Sequence, residues 1–273
     1  MVKQKASRKE ADKRSNLNNA PLKPDWATGT GTTNMAAGTS IFDPVLCEIV
    51  YRWFMPKEGK ILDPFAGGSV RGIVAGYLGY DYTGVELRDE QVNANREQAG
   101  ICKDKKPLWI TGDSQNINTI AKGEYDLIFS CPPYYDLEVY SDMNGEMSAL
   151  LTYEEFIRAY RDIVAKCTSM LKDNRFACFV VGDIRDKKGF YRNFISDTIS
   201  AFKDAGMILY NEGILVTAVG SLPIRITRQF QSGRKLGKTH QNVLIFYKGD
   251  PKKIKEFGNV EAGEILQKAE KIA

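Results

Sequence analysis

The 273-residue sequence contains one histidine, His240, and five cysteines, none of which stands in a CxxC pair. A single histidine leaves no residues for a two-histidine metal site or for a histidine-based catalytic triad away from position 240. An odd number of unpaired cysteines argues against a disulfide framework and against structural zinc. We therefore expect a reducing, cytoplasmic setting, no metal site, and chemistry outside most hydrolase classes.

The sequence also lacks an apolar run near the roughly 18 residues that a membrane span needs, and its N-terminus is polar. We therefore expect a soluble protein without a membrane partner. No GxGxxG motif occurs, and no GK[ST] follows the glycine-containing segment LDPFAGGS, which argues against a dinucleotide or triphosphate ligand. The net charge of +4 is only a weak indication of a polyanionic partner.

Strand-like and helix-like segments alternate along most of the chain. This pattern predicts an α/β fold with a mostly parallel sheet of about seven strands, covered by helices on both faces. The last two strands, near 210–219 and 242–248, are predicted to form an antiparallel hairpin. The predicted strand segments contain KILD, YDYTGVEL, PLWITGDS, EYDLIFS, RFACFVV and those two ranges.

Composition divides the chain into three parts. Residues 1–35 are predicted to be a basic, irregular arm that is either solvated or follows a nucleic-acid backbone. Residues 36–250 are predicted to form one catalytic domain with a basic insertion at 221–241. Residues 251–273 are predicted to be a charged tail.

The segment LDPFAGGS follows the first strand, at the sheet edge where open α/β sheets bind ligands. Gly67 and Gly68 would let the backbone approach a nucleoside closely. The second strand ends in Glu86, 23 residues after Asp63, where a carboxylate can accept both hydroxyls of a ribose. The third strand ends in Asp113, which can accept from an adenine amino group. Together these residues predict a site for a nucleoside without phosphates, such as S-adenosylmethionine.

The segment FSCPPYYD closes the fourth strand. Pro132 and Pro133 fix an extended backbone and remove two amide donors, so that neighbouring carbonyls are left to face the cleft. Tyr134 follows directly and offers a ring for stacking. With Cys131, these residues are predicted to hold a flipped-out planar base with its amino group toward a methyl donor.

The motifs LDPFAGGS, GVEL, GDS and CPPY, in this order, resemble the first four motifs of the DNA amino-methyltransferases that make N6-methyladenine or N4-methylcytosine. The resemblance covers roughly residues 36–250. It implies a Rossmann-like S-adenosylmethionine-dependent fold, double-stranded DNA with a flipped base as the partner, and a role in restriction–modification. The cofactor-binding residues that it implies are Phe42, Asp63, Phe65, Ala66, Gly67, Gly68, Glu86, Asp113 and Ser114, with Phe42 closing over the methionine end.

Cys131 departs from the family pattern, which usually has Asp, Asn or Ser at this position. A thiol is a weak hydrogen-bond acceptor, so the carbonyl of Ser130 or Pro132 would have to accept part of the hydrogen bonding from the target amine. Alternatively, Cys131 could be a nucleophile in carbon-5 pyrimidine methylation, although the sequence lacks the Pro-Cys-Gln order of those enzymes. Two further alternatives are methylation of RNA or protein and a catalytically inactive DNA-binding partner.

The basic connection between the last two strands has five cations and no acid. Its glycines at 233 and 237 predict a pliable loop, either solvated or in contact with DNA phosphates. The predicted DNA-binding residues are Arg225, Arg228, Arg234, Lys235 and Lys238.

The segment after Tyr134 is acidic and loop-like and contains Tyr135, Tyr140 and Asp142. We expect either a mobile flap over the substrate or a polar surface excursion. The sequence has no separate recognition domain, since a domain usually needs ~100 residues. Short recognition sites, or a homodimer in which the second copy supplies contacts, would follow.

Overall fold

The computed structural model describes residues 41–102, 104–135, 145–217 and 222–260, without the side chains of residues 224 and 225. The predicted N-terminal arm, residues 136–144 of the predicted flap and all but the start of the predicted tail lie outside these residues. No helix in the described part of the chain is long and apolar enough to cross a membrane.

Seven strands form one sheet in the order β3-β2-β1-β4-β5-β7-β6. The strands β1 to β5 are parallel, and β7 runs antiparallel between β5 and β6. The prediction of a mostly parallel sheet with an antiparallel hairpin at its end is confirmed. The strands are β1 Lys60–Asp63, β2 Asp81–Glu86, β3 Leu108–Thr111, β4 Tyr125–Ser130, β5 Leu171–Val181, β6 Ile208–Val216 and β7 His240–Lys248.

Helices join the parallel strands, and their ends follow local signals. The first helix begins after Asp43, whose side chain accepts from backbone amides, with Pro44 in the first turn. The longest begins with a capping box between Thr152 and Glu155. The helices are α1 Pro44–Phe54, α2 Val70–Tyr77, α3 Asp89–Gln98, α4 Ile117–Ile120, α5 Tyr153–Met170, α6 Phe194–Asp204 and α7 Leu222–Gly233.

The sheet is covered on both faces, so its central strands are buried and mainly apolar. All six residues of β4 are buried. One core layer contains Tyr160 of α5 and Phe194 of α6, and the other contains Tyr51 of α1 and Trp109 of β3. Since β1 lies between β2 and β4, the strand order reverses there, and the site in an open α/β sheet is expected at the carboxyl ends of these strands.

Residues 217–239 belong to a compact unit apart from the one that holds the sheet. Within it, α7 occupies Leu222–Gly233, so the expectation of a pliable loop is wrong over these residues. The interior of helix α7 has no glycine, and Pro223 is tolerated because it lies in the first turn of the helix. The hydroxyls of Thr227 and Ser232 donate to carbonyls one turn back, at Pro223 and Arg228.

The amino ends of three strands meet at one buried carboxylate, Asp126 of β4. It accepts from the backbone amide of Lys60 at 3.1 Å, from Lys172 Nζ at 2.9 Å and from Arg175 Nε at 3.0 Å. Burial alone would raise the pKa of Asp126, but these hydrogen bonds outweigh it and hold the pKa below its usual value.

We predict that Asp126→Asn lowers the free energy of unfolding by about 1–3 kcal/mol at neutral pH, because a charge-assisted network is weakened. Since the folded pKa is depressed, the contribution of Asp126 is present above the unfolded pKa and is lost as the pH falls through the folded pKa. Urea unfolding from neutral to acidic pH measures this. The matched control is Asp81→Asn, at a half-exposed pair with Lys105; a similar loss in both variants would contradict the prediction.

Candidate functional site

The turn after β1, residues 64–69, is joined to the ends of two other strands. The amide of Gly67 donates to Glu86 Oε2 at the end of β2, at 3.1 Å. The amide of Phe65 donates to Ser130 Oγ at the end of β4, at 3.2 Å. Residues that the sequence separates by up to 65 positions therefore meet at one edge of the sheet.

The end of β3 reaches the same turn through Ser114, whose hydroxyl donates to the carbonyl of Pro64. Beside it, Asp113 Oδ1 accepts from the amide of Gln115 at 2.8 Å. Gly145 has a φ of +95°, and a Cβ built there would lie 2.8 Å from Asp113 Oδ2. Only glycine fits at 145, because the chain passes directly over this carboxylate.

Asp63 itself lies beneath the turn rather than on its open side. Its Oδ2 accepts from Arg71 Nε at 2.6 Å and from Tyr82 Oη at 2.7 Å, and its Oδ1 from Ser130 Oγ at 2.6 Å and the amide of Phe65 at 3.1 Å. The residue has no exposed surface. The assignment of Asp63 to the lining of the cofactor site is therefore corrected: its carboxylate holds the turn in place.

Arg71 of α2 completes this buried network. Its Nη2 donates to the carbonyls of Phe65 at 2.6 Å and Ala66 at 3.0 Å, and the ring of Phe42 lies over its guanidinium at 4.6 Å. Phe42 thus covers the network from the side of α1. Sequence reasoning missed Arg71; the available signal was an arginine in the otherwise small and apolar helix VRGIVAGY.

The open side of the turn is lined by backbone. Gly67 has a φ of +51°, and a Cβ built at Gly67 or Gly68 would meet nothing within 4 Å. Glu86 borders this space; its Oε1 also accepts from the amide of Arg88 at 3.0 Å. A carboxylate offers about four acceptor positions, so Glu86 retains capacity for a ligand. An open glycine turn next to a carboxylate fits a nucleoside.

Across from this turn, the segment after β4 places Cys131 and Tyr134 side by side, with Sγ and Oη 3.8 Å apart. Tyr134 Oη accepts from Gln241 Nε2 at 2.6 Å. The ring packs edge-on against Phe194, with centroids 6.1 Å apart, and lies 3.8 Å from the position of a Cβ at Gly182. Gln241 had no local sequence signal, because it reaches Tyr134 from the start of β7.

Pro132 is buried and Pro133 half-buried, so the first proline packs the segment into the fold and the second borders its surface. Of the predicted DNA-binding residues, Arg228 and Arg234 are exposed and Lys235 and Lys238 are half-buried. All of these basic residues belong to the unit of residues 217–239. The side chain of Arg225 lies outside the described part of the structure.

A family model described as DNA methylase matches residues 125–271, more than half of the chain. The chain belongs to the N6/N4 DNA methylase family. This family uses S-adenosylmethionine, so the predictions of the family and of its cofactor are confirmed. The search of curated proteins gives no match.

Several solved structures are similar to this chain. TrmN from Thermus thermophilus is 16% identical with a TM-score of 0.50, over 76% of this chain and 49% of that chain. The methylase thus spans about half the length of TrmN. Magnesium protoporphyrin IX methyltransferase from Synechocystis PCC 6803, with bound SAM, is 12% identical with a TM-score of 0.47, over 76% and 79% of the two chains. A candidate DNA modification methylase from Thermus thermophilus is 16% identical with a TM-score of 0.38, over 51% of each chain.

We predict that Arg71→Met lowers the free energy of unfolding by about 3–5 kcal/mol, because it leaves the buried carboxylate of Asp63 without its cation. Denaturant unfolding followed by circular dichroism measures this. Arg52→Met is the matched control, since Arg52 pairs with Glu48 on an exposed helix face and its loss is expected to change stability by less than about 0.5 kcal/mol. Comparable losses in the two variants would contradict the role given to the buried pair.

Proposed function

We propose that this methylase transfers a methyl group from S-adenosylmethionine to the exocyclic amino group of a base flipped out of double-stranded DNA, adenine N6 or cytosine N4. The observation that carries the proposal is the joining of two half-sites at one sheet edge. Ser130 donates to Asp63 beneath the glycine turn, and the next residue in the chain is Cys131.

The cofactor half consists of the glycine turn and the acids at the ends of β2 and β3. Glu86 would accept from the ribose hydroxyls and Asp113 from the adenine amino group. The backbone at Gly67 and Gly68 would lie against the nucleoside, where it leaves open space. The walls would come from Phe65 and Ser114, and Phe42 would close the methionine end. Ala66, like Asp63, has no exposed surface and lies in the core beneath the turn, so its assignment to the lining is corrected too. When bound, the cofactor supplies an electrophilic methyl group on sulfur.

The base half consists of Cys131, Pro132, Pro133 and Tyr134. The ring of Tyr134 is held by Gln241 and by its packing against Phe194, so it is ready to stack on a flipped base. The hydroxyl of Ser130 donates to Asp63, so we assign the binding of the target amine to the thiol of Cys131 and the carbonyl of Pro132. These groups would orient the amine for in-line attack on the methyl group, and catalysis would come chiefly from position and desolvation.

DNA phosphates are assigned to the basic connection, which includes Arg228 and Arg234 with exposed side chains. Its two ends join the sheet where Val216 pairs with His240. Two residues on, Asn242 pairs with Val181 at the carboxyl end of β5. The complete set of proposed phosphate contacts is Arg225, Arg228, Arg234, Lys235 and Lys238.

The test is to incubate the pure protein with unmodified DNA and methyl-labelled S-adenosylmethionine, and to digest the DNA for nucleoside mass spectrometry. Labelled N6-methyladenine or N4-methylcytosine supports the proposal and identifies the base. Label on carbon 5 of a pyrimidine would overturn it and make Cys131 a nucleophile. Cofactor binding without label in DNA would also overturn it and point to RNA, to protein or to a DNA-binding partner without activity.

We predict that Tyr134→Ala lowers kcat about 10- to 100-fold and leaves cofactor affinity unchanged, since base–aromatic stacking contributes ~1–3 kcal/mol. Asp113→Ala is expected to do the reverse and to weaken cofactor binding about tenfold or more. Tyr134→Phe is the control that keeps the ring and removes only the hydroxyl bonded to Gln241. Steady-state kinetics and calorimetric titration with the cofactor separate the effects; equal loss of both in Tyr134→Ala would refute its assignment to the base.

We predict that Cys131→Ser retains methyl transfer within about tenfold of the original activity. A hydroxyl is a better acceptor than a thiol, and the family usually has Asp, Asn or Ser here. If the thiol were a nucleophile, the same change would abolish transfer by a factor of roughly 1000 or more, as removal of a covalent catalyst does. Single-turnover kinetics measures the rate, and trapping with DNA that contains a fluorinated pyrimidine shows whether a covalent complex forms.

A further inference from the structure

The connection from β5 to α6 is a tight hairpin, residues 184–192, that the function described so far does not use. Arg185 and Tyr191 form an antiparallel bridge across it, and the guanidinium of Arg185 lies 3.8 Å above the centre of the Tyr191 ring. The amide of Asp186 donates to the carbonyl of Phe190 at 2.8 Å. These contacts fix the shape of the 184–192 hairpin, so its tip is presented in a defined conformation.

Both ends of the 184–192 hairpin are anchored at the proposed base half-site. The chain enters it past Gly182 and leaves it into Phe194, and both of these residues pack on the ring of Tyr134. At its end, the guanidinium of Arg192 lies 4.9 Å from the ring centre of Tyr135, the residue after Tyr134. The hairpin is therefore coupled directly to the segment that would hold the target base.

The tip of the hairpin combines exposed cations with an exposed aromatic ring. Lys187 and Lys188 are both exposed. Phe190 is 71% exposed and Tyr191 42% exposed, although burial of such rings is favourable. The acid at the tip, Asp186, is directed inward, where its Oδ1 accepts from the amide of Phe190 at 2.9 Å. The outward-facing chemistry is thus two positive charges next to a protruding apolar ring.

We propose that the 184–192 hairpin is a DNA wedge: Phe190 enters the base stack beside the flipped base, and Lys187 and Lys188 contact the neighbouring phosphates. This inference rests on the proposed function. Flipping a base leaves a gap and breaks stacking at a cost of a few kcal/mol, which an inserted apolar side chain offsets. Adjacent cations suit the negatively charged phosphodiester backbone on either side of such a gap.

The first test compares Phe190→Ala with Tyr77→Ala, an equally exposed aromatic residue at the end of α2. Both are assayed on an unmodified duplex that contains a site the protein methylates, and on the same duplex with the target base mispaired. We expect Phe190→Ala to lower kcat/KM at least about tenfold on the paired duplex and less than about twofold on the mispaired one, because a mispaired base is already poorly stacked. Phe190→Leu is expected to restore most of the rate, and Tyr77→Ala to match the original protein on both duplexes.

Equal loss on both duplexes, or no loss on either, would overturn the wedge. A general folding defect would lower both rates alike, so the mispaired duplex separates insertion from a structural role.

The second test measures how DNA affinity depends on salt. Lys187→Ala with Lys188→Ala is expected to make the slope of log K against log salt shallower by about two, since each phosphate contact releases about one counterion. The control is Lys252→Ala with Lys255→Ala, exposed lysines beyond β7. The carboxyl end of β7 pairs with the amino end of β5, so these lysines follow the opposite edge of the sheet. An unchanged slope in the hairpin variant would overturn its phosphate contacts.

The outcome for the unmutated protein separates the two proposals. If it labels DNA while the hairpin variants behave like their controls, the wedge is wrong and the proposed function stands. If it neither binds nor labels DNA, the proposed function is wrong and the wedge is overturned with it.

Discussion

The structure of the site depends on the buried ion pair between Asp63 and Arg71. A buried carboxylate is destabilising unless its oxygens accept hydrogen bonds. Asp63 accepts four, and the donor of one of them, Arg71, also carries the opposite charge. Arg71 in turn donates to the carbonyls of Phe65 and Ala66. The pair therefore fixes the backbone of the glycine turn from below and leaves its upper side open for a ligand.

The same carboxylate connects the two halves of the site. Asp63 Oδ1 accepts both from the amide of Phe65 in the turn and from the hydroxyl of Ser130, the residue before Cys131. A cofactor held by the turn and a base held by the segment after β4 would be positioned relative to the same oxygen atom. In-line transfer requires that alignment, because a small displacement of either partner slows a reaction that depends mainly on position.

Most of the fold could be predicted because its signals are local. The seven strands follow from short apolar runs, and the meeting of Glu86, Asp113 and Cys131 at one edge follows from the parallel connections. The burial of Asp63 could not be predicted, since it depends on donors from α2, β2 and β4. At helix α7 the sequence pattern predicts a loop instead, because the basic charge of this segment and the glycines at 233 and 237 are typical of a solvated connection. The packing of Arg192, at the end of the 184–192 hairpin, on the ring of Tyr135 could not be predicted either, since no local pattern encodes it.

Cys131 changes how the base half must work. A thiol holds an amine less firmly than the Asp, Asn or Ser usual in the family, so more of the orientation has to come from the ring and from the backbone. Tyr134 is restrained accordingly, by the 2.6 Å hydrogen bond from Gln241 and by packing against Phe194. Gln241 of β7 and Phe194 of α6 thus hold this one ring from two different elements, and the orientation of the base would come from that ring and from the carbonyl of Pro132.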